Sequence, residues 1–140
     1  MPNTSKSRFR VRYAETDQMG VVYYANYFIW MEVGRADFCR ACGFNYRDME
    51  AEDKAFIAVV EATCRYLAPA RYDEEITVET QLARASRRVL EFTYVIRNNQ
   101  NVLAEGKTVH VVTGPDAKSK SLSDRYFDLL QTAANSPGPQ

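Results

Sequence analysis

An acidic side chain lies in a short loop that contains glycine and ends at a predicted helix. Asp17 is followed by Gly20, which can adopt a left-handed backbone conformation, and by Asn26, a residue favoured at the start of a helix. A carboxylate in such a loop can act as a nucleophile or as a general base. The free N–H groups of a helix start can stabilise an oxyanion. Taken alone, these residues favour an aspartate that bonds to its own backbone in the turn, with chemistry at a carbonyl group as the alternative.

The helix after this loop is predicted from Asn26 to about Cys42. Gly43 suits its C-terminus, and Arg40 lies in the last turn, where a positive charge complements the helix dipole. The helix is apolar on most of its circumference, which is typical of a buried helix. Its apolar residues are Tyr27, Phe28, Ile29, Trp30, Met31, Val33, Ala36, Phe38, Cys39 and Cys42. The sequence therefore predicts a long buried helix with other elements wrapped around it. We expect Asn26 to cap it, or else to contact the reacting group or a water.

Alternation of apolar and polar residues predicts about five strands. One covers residues 9–14, before the loop, and four longer ones follow the helix, at about 56–66, 76–82, 90–96 and 104–112. The links between the longer strands are short and carry turn residues, which predicts an antiparallel meander. A sheet around one helix has an unpaired edge that a second copy of the chain can cover. We therefore expect a homodimer, or a homotetramer made of two dimers.

Length, charge and composition exclude several classes of protein. The 140 residues suffice for one domain, which we place at residues 1–134, followed by a polar, proline-containing tail at 135–140 that we expect to be disordered. Eighteen basic and eighteen acidic residues give no net charge, which argues against nucleic-acid binding. No apolar run is long enough for a membrane span or an export signal, and the three cysteines are typical of free thiols. These features predict a cytoplasmic protein.

Sixteen residues around the loop, from Arg12 to Tyr27, resemble the signature of the 4-hydroxybenzoyl-CoA thioesterase family. That signature contains an aromatic residue, an acidic-Thr-Asp triplet, Gly-Val-Val-Tyr, an aromatic residue or His, and Ala-Asn-Tyr at the start of the central helix. The order of elements is similar to this family over about residues 8 to 130. The resemblance implies an α+β hotdog fold, in which a curved antiparallel sheet of about five strands wraps around a long buried helix. It also implies an acyl-CoA thioesterase, similar to those associated with the Tol–Pal system.

The resemblance assigns roles to residues of the loop. It implies that Asp17 is the catalytic carboxylate, that Gly20 lets the substrate approach the backbone, and that amides around Val22 to Tyr24 form the oxyanion hole. Many relatives have His at the position of Tyr24, whereas others have Tyr. Tyrosine cannot act as a base near neutral pH, so any contribution from a ring base is absent here.

Coenzyme A carries phosphate groups, so its binding surface should offer arginine or lysine. The first candidates lie at a predicted strand turn and the second in the tail loop, although such residues are often only solvated. By analogy with the family, the pantetheine arm runs along the strand at residues 57–65. We expect no metal and no cofactor other than the coenzyme A of the substrate. These candidate binding residues are Arg84, Arg87, Arg88, Lys118, Lys120, Val59 and Val60.

The cysteine pair and the single histidine offer alternative sites for chemistry. Cys39 and Cys42 have redox-pair spacing, but the C-terminal end of a helix raises a thiol pKa, so packed thiols are expected. His110 is the only histidine, and its position in a strand favours a packed residue. The competing functions are an enoyl-CoA hydratase or dehydratase, which normally needs a histidine in the catalytic segment, and a non-catalytic acyl-CoA-binding protein, which has no need of Asp17.

Overall fold

The computed structural model describes residues 4–135, which form a five-stranded antiparallel sheet and three α-helices. In chain order the elements are β1 (Thr4–Arg10), a 3₁₀ turn (Tyr13–Glu15), α1 (Asn26–Cys42), α2 (Tyr46–Asp53), β2 (Phe56–Tyr66), β3 (Glu75–Ala85), β4 (Val89–Arg97), β5 (Val102–Thr113) and α3 (Asp124–Asn135). The predicted α+β class and the number of strands are confirmed. Asn135 belongs to α3 and not to a disordered tail, and the rest of the predicted tail lies outside the described residues. None of the helices within residues 4–135 is both long and apolar enough to cross a bilayer.

The long helix α1 has its predicted bounds. It ends at Gly43, whose φ of 106° lies in the left-handed region and whose N–H bonds to the carbonyl of Arg40. One stripe of α1 is buried, at Tyr27, Trp30, Met31, Gly34, Phe38, Cys39 and Cys42. The other side is open in the single chain, since Ile29 and Val33 are 49% and 40% exposed. The sheet therefore covers one side of this apolar helix, and the side that carries Ile29 and Val33 stays uncovered in the single chain.

The sheet has the strand order β1-β3-β4-β5-β2. The strands β3, β4 and β5 form the predicted meander, but the prediction that β2 also belongs to it is wrong, because β2 pairs with β5. The link at residues 67–74 is a crossing segment and not a hairpin turn. Leu67 N bonds to the carbonyl of Leu103 at one side, and Val11 N bonds to the carbonyl of Glu74 at the other. Consequently β1 and β2 are the two edges of the sheet.

The first strand is displaced from its predicted position. Residues 4–10 pair with β3, whereas Tyr13, Ala14 and Glu15 form the 3₁₀ turn. The alternation of basic and apolar residues continues past Arg10, so the pattern alone did not show where the pairing stops. This turn brings the chain from the edge of the sheet to the start of α1.

Two glycines allow α1 to lie close to the sheet. A Cβ atom at Gly34 would collide with Thr80 Oγ1, and one at Gly106 would collide with the end of the Met31 side chain. The contact at Gly34 therefore favours a residue without a side chain, whereas at Gly106 the flexible end of Met31 would have to move. Because α1 is held so closely, its N-terminus has a fixed position over the end of the sheet where β2 finishes.

Candidate active site

The loop between the 3₁₀ turn and α1 is held as a tight turn. Thr16 and Val22 form an isolated antiparallel bridge. Asp17 N donates to the carbonyl of Val21 at 2.9 Å, and Gly20 N donates to the carbonyl of Asp17 at 3.0 Å. Gly20 has a φ of 78°, the left-handed conformation predicted for it. The turn thereby holds Asp17 next to the start of α1.

The Asp17 side chain is half-buried. Its Oδ1 accepts a hydrogen bond from Met19 N at 2.8 Å, which is the turn-capping contact foreseen as the alternative role of this residue. Within residues 4–135, Oδ2 makes no hydrogen bond. One oxygen therefore orients the carboxylate, and the other is available to a substrate or a water.

The amides at the helix start differ in their availability. Val22 N donates to the carbonyl of Ala70 and Tyr23 N to the carbonyl of Glu15, each at 2.8 Å, so neither can bind an oxyanion. The amides of Tyr24 and Ala25 have no acceptor in the described part of the chain. Of the predicted donors Val22 to Tyr24, only the Tyr24 amide is unoccupied in the described part of the chain. The amide of Ala25, which follows it, is unoccupied as well.

Asn26 does not cap the helix, contrary to the prediction. The capping position is Ala25, which has helical backbone angles of −65° and −23°, so the chain is already helical before Asn26. The side-chain Nδ2 of Asn26 instead donates to the carbonyl of Glu15 at 2.9 Å. This bond ties the first residue of α1 to the 3₁₀ turn, two residues before Asp17.

A cavity of about 330 Å³ adjoins the helix start. Val21, whose carbonyl accepts the hydrogen bond of the Asp17 amide, belongs to its wall. Tyr66 at the end of β2 donates its hydroxyl to the carbonyl of Tyr24 at 2.9 Å, and its ring stands edge-on to Tyr27 at 5.0 Å. Burial raises the pKa of both Tyr27 and Tyr66. The cavity therefore has neutral aromatic walls suited to an acyl group or a pantetheine arm.

The predicted phosphate-binding residues gather at the opposite end of the sheet. Arg87 donates to the carbonyl of Leu122 and to Asp124, and its guanidinium lies 4.4 Å from the centre of the Phe127 ring. Arg88 donates to Ser119 Oγ at 2.7 Å, which brings the hairpin and the tail loop together. Since β4 has nine residues, this end lies about 30 Å from the Asp17 loop of the same chain.

Within that basic group the residues differ in how free they are. Lys120 Nζ contacts the backbone carbonyl of Asp53, and Arg87 is engaged with α3. Arg84, Arg88 and Lys118 are exposed. Within one chain, the predicted basic residues therefore lie near one another and far from Asp17.

Val59 and Val60 lie in the middle of the edge strand β2. The register of β2 against β5 shifts between Val59 and Glu61, so Val60 is the extra residue of a bulge. Their side chains are 50% and 57% exposed, respectively. This exposure indicates that no other element covers this part of β2 in the single chain.

The cysteines and the histidine lie away from the candidate site. Burial raises the pKa of Cys39 to about 12 and that of Cys42 to about 11, so both thiols stay protonated. Burial and the nearby Arg35 lower the pKa of His110 to about 4, and its Nε2 bonds to Thr108 Oγ1 in the core. Among residues 4–135, no three His, Cys, Asp or Glu side chains are grouped as metal ligands would be.

The sequence matches a known family over most of this architecture. The profile described as thioesterase superfamily matches residues 19–105, which include α1 and most of the sheet. The chain belongs to the thioesterase superfamily. The acyl-CoA thioester hydrolase YbgC of Escherichia coli O157:H7 is 36% identical over 120 residues, which are 84% of this chain and 89% of YbgC.

Solved structures extend the likeness to the fold. The DHNA-CoA thioesterase of Staphylococcus aureus superposes with a TM-score of 0.85 at 34% identity, over 93% of this chain and 87% of that one. The 4-hydroxybenzoyl-CoA thioesterase of Pseudomonas sp. strain CBS-3 has a TM-score of 0.82 over 91% of this chain and 99% of its own. At 18% identity, the second likeness shows the fold alone. The hotdog fold is confirmed, and the chain is a thioester hydrolase.

Proposed function

We propose that the protein hydrolyses acyl-CoA thioesters with Asp17 as its catalytic carboxylate. The observation that carries this proposal is the pairing of a carboxylate oxygen that has no partner in the described chain with two unused amides, those of Tyr24 and Ala25. A thioester carbonyl between them can be attacked while its oxygen becomes negative. The aromatic cavity at the start of α1 then receives part of the acyl-CoA.

Two routes to the products use the same groups. In the first, Asp17 attacks the carbonyl carbon, the C–S bond breaks, the sulfur takes a proton, and water hydrolyses the resulting mixed anhydride. In the second, Asp17 takes a proton from a water that attacks the carbonyl, and the C–S bond breaks in the same way. In both, the amides at the start of α1 stabilise the tetrahedral oxyanion. The products are a free acid and coenzyme A.

The proposal is tested by measuring free thiol release from a panel of acyl-CoAs. Release of coenzyme A with formation of the acid supports the thioesterase. Loss of enoyl absorbance without thiol release would support a hydratase instead, and saturable binding without either change would support a non-catalytic acyl-CoA-binding protein. The hydratase lacks support among the described residues, because His110 is buried in the core.

The two candidate amides can be separated by one substitution. Ala25→Pro removes the Ala25 N–H, and the φ of −65° at this position already suits proline, but proline also disfavours the turn conformation of the preceding Tyr24. If Tyr24 N–H is the main donor, kcat stays within about threefold of wild type, whereas loss of a principal donor costs about 100-fold or more. Steady-state kinetics with one acyl-CoA, together with circular dichroism to verify folding, measure this. A folded variant with wild-type kcat would exclude the Ala25 amide as a principal donor, whereas a 100-fold loss would show that the Ala25 N–H or the turn conformation of Tyr24 is essential.

We assign the coenzyme A phosphates to the basic group of a second copy of the chain. The exposed edge of β2 supports this, because antiparallel pairing of two β2 edges would bring the basic end of one sheet to the Asp17 end of the other. The pantetheine arm would then lie near Val59 and Val60. Arg88 and Lys118 are the best placed for phosphate contacts, since Arg87 already pairs with the Asp124 carboxylate and Lys120 with a backbone carbonyl, whereas Arg88 donates only to the Ser119 hydroxyl.

Replacing Arg88 and Lys118 by Ala should raise KM for acyl-CoA by about tenfold or more, because each charge-assisted hydrogen bond contributes about 1.5–3 kcal/mol. Phosphate contacts are the same in ground state and transition state, so kcat should change little. The same variant should act normally on an acyl-pantetheine thioester, which has no nucleotide. An equal loss with both substrates would remove these residues from the phosphate site. Arg87→Ala should mainly lower stability, since Arg87 holds α3.

A further inference from the structure

A second carboxylate, that of Glu15, lies two residues before Asp17 and has no role in the proposed chemistry. It is only 5% exposed, although ionisable side chains are seldom buried without partners. Glu15 is the last residue of the 3₁₀ turn. It lies between the edge of the sheet and the start of α1, so its hydrogen bonds can connect these two elements.

Both oxygens of this carboxylate accept hydrogen bonds from different parts of the chain. Oε1 accepts from Arg12 N and Oε2 from the indole Nε1 of Trp30, each at 2.8 Å. The guanidinium of Arg12 adds an ion pair at 3.5 Å. Burial by itself raises the pKa of Glu15, but the bonds from Arg12 and Trp30 outweigh it and lower that pKa below its ordinary value. Glu15 is therefore ionised at neutral pH, with its acceptors occupied.

The backbone of the same residue binds the far end of the catalytic loop. The carbonyl oxygen of Glu15 accepts from Tyr23 N at 2.8 Å and from Asn26 Nδ2 at 2.9 Å. Through its side chain and its carbonyl, Glu15 thus contacts the turn before the loop, the end of the loop, and the first two turns of α1. Asp17 follows it by two residues, and Tyr24 follows Tyr23.

A catalytic role for Glu15 is inconsistent with these contacts. Its two oxygens are occupied and almost inaccessible, and Trp30 is itself buried against Phe9 and Tyr27. The carboxylate therefore acts on the positions of other groups. We infer that Glu15 is a positioning residue, which locks Asp17 at a fixed distance from the Tyr24 amide by joining the 3₁₀ turn to Trp30 of α1. This inference rests on the proposed roles of Asp17 and Tyr24.

The decisive variant is Glu15→Gln, which keeps the size of the side chain. Glutamine has one acceptor oxygen and one N–H₂ group, so it must turn a donor toward either the Arg12 amide or the Trp30 indole. One of the two bonds is then lost. We expect kcat to fall about 10- to 100-fold and KM for an acyl-CoA to change less than about threefold, because a misplacement of about 1 Å can cost 100-fold in rate.

Trp30 supplies an independent readout, because it is the only tryptophan of the chain. Removal of the carboxylate charge beside the indole, whichever of the two bonds is lost, should shift the fluorescence emission of the folded Glu15→Gln protein. Trp30→Phe removes the same donor from the other side, and it carries the kinetic test if Glu15→Gln does not fold. If the lock acts through the Glu15–Trp30 bond, the double variant should lose no more kcat than the worse single variant.

The matched control is Glu74→Gln. Glu74 also accepts from a backbone N–H three residues away, that of Arg71, and from a side-chain donor, Asn98 Nδ2. It has no hydrogen bond to α1 in the described structure. The same loss of a carboxylate should therefore leave kcat and the tryptophan emission at their wild-type values.

A folded Glu15→Gln protein with wild-type kcat would overturn the inference, as would a loss of rate that only follows the unfolded fraction. Asp17→Asn separates this outcome from failure of the proposed function. If Asp17→Asn is inactive while Glu15→Gln is fully active, the function stands and the positioning role falls. If Asp17→Asn stays active, the proposed function falls, and the emission shift of Glu15→Gln alone reports whether the lock exists.

Discussion

Replacing Asp17 by Asn is expected to lower kcat by about 1,000-fold, since a positioned acid or base contributes about 10²–10⁴ and a lost nucleophile at least as much. Asparagine keeps the shape of the side chain and the acceptor that bonds to Met19 N, so the turn should persist. It removes both the negative charge and the basicity. The binding of an acyl-CoA, measured with the inactive protein by calorimetry, should therefore be little changed.

Asp116→Asn provides a matched control for this experiment. Asp116 Oδ1 accepts from Lys118 N at 3.0 Å, the same two-residue turn contact that Asp17 makes to Met19. It lies at the basic end of the sheet, far from the Asp17 loop of the same chain. Its replacement should leave kcat unchanged. If Asp17→Asn were folded and kept more than a few per cent of wild-type kcat, Asp17 would not be the catalytic group.

Local sequence patterns were sufficient for α1 and for the four longer strands, but not for the 3₁₀ turn beside the site. The helix bounds at Asn26 and Cys42 and the glycine stop after them follow from apolar content and cap chemistry, which act over a few residues. The alternating runs likewise located β2 to β5. Which strands pair is a different question, because turn residues at 67–74 suit both a hairpin and a crossing segment. Helix α2 was missed because it is short and polar, with only Met49 buried.

The same distinction between local and distant contacts explains which features of the candidate site could be predicted from the sequence. The left-handed turn at Gly20 could be predicted because it is local, whereas the catalytic role of Asp17 came from the family resemblance and stays a prediction. The role of Glu15 could not be found, since its partner Trp30 is fifteen residues away and their contact depends on the packing of α1. The amide of Tyr23 is occupied by the same residue, which no spacing in the sequence would reveal. The Asn26 cap failed because Ala25 is already helical.

Replacing Val60 by Lys is expected to convert a homodimer into a monomer of 16.0 kDa and to remove most of the acyl-CoA turnover. In the single chain the outer edge of β2 is unpaired, Val60 is 57% exposed, and the open side of α1 carries Ile29 and Val33. Pairing with a second copy would bury these groups. A charge at the centre of that interface would cost about 3–5 kcal/mol, because it would be buried without a partner.

We expect activity to depend on the dimer because of the direction of the strands. Antiparallel pairing of two β2 edges brings the Tyr66 end of one strand next to the Phe56 end of the other. The basic end of the second sheet then lies about three strand spacings, or about 15 Å, from the Tyr24 amide, instead of about 30 Å away in the same chain. In the proposed site, only such a dimer would hold the thioester at Asp17 and the phosphates at Arg88 and Lys118 together.

Tyr72→Lys is the matched control, because Tyr72 is also 57% exposed but lies in the crossing segment and not on β2. Light scattering should give at least twice 16.0 kDa for wild type and Tyr72→Lys, and 16.0 kDa for Val60→Lys. A wild-type protein that is a stable and active monomer would contradict both the dimer and the shared site.

Mixed dimers test the shared site directly. Co-expression of an Asp17→Asn chain with an Arg88→Ala, Lys118→Ala chain should yield mixed dimers in which one site has Asp17 from the second chain and both basic residues from the first. That site is fully wild type, so about a quarter of all sites should recover wild-type KM. If each site were instead built from one chain, every active site in the mixture would lack Arg88 and Lys118. The mixture would then show only the raised KM of the basic-residue variant, and the shared site would be ruled out even if the dimer exists.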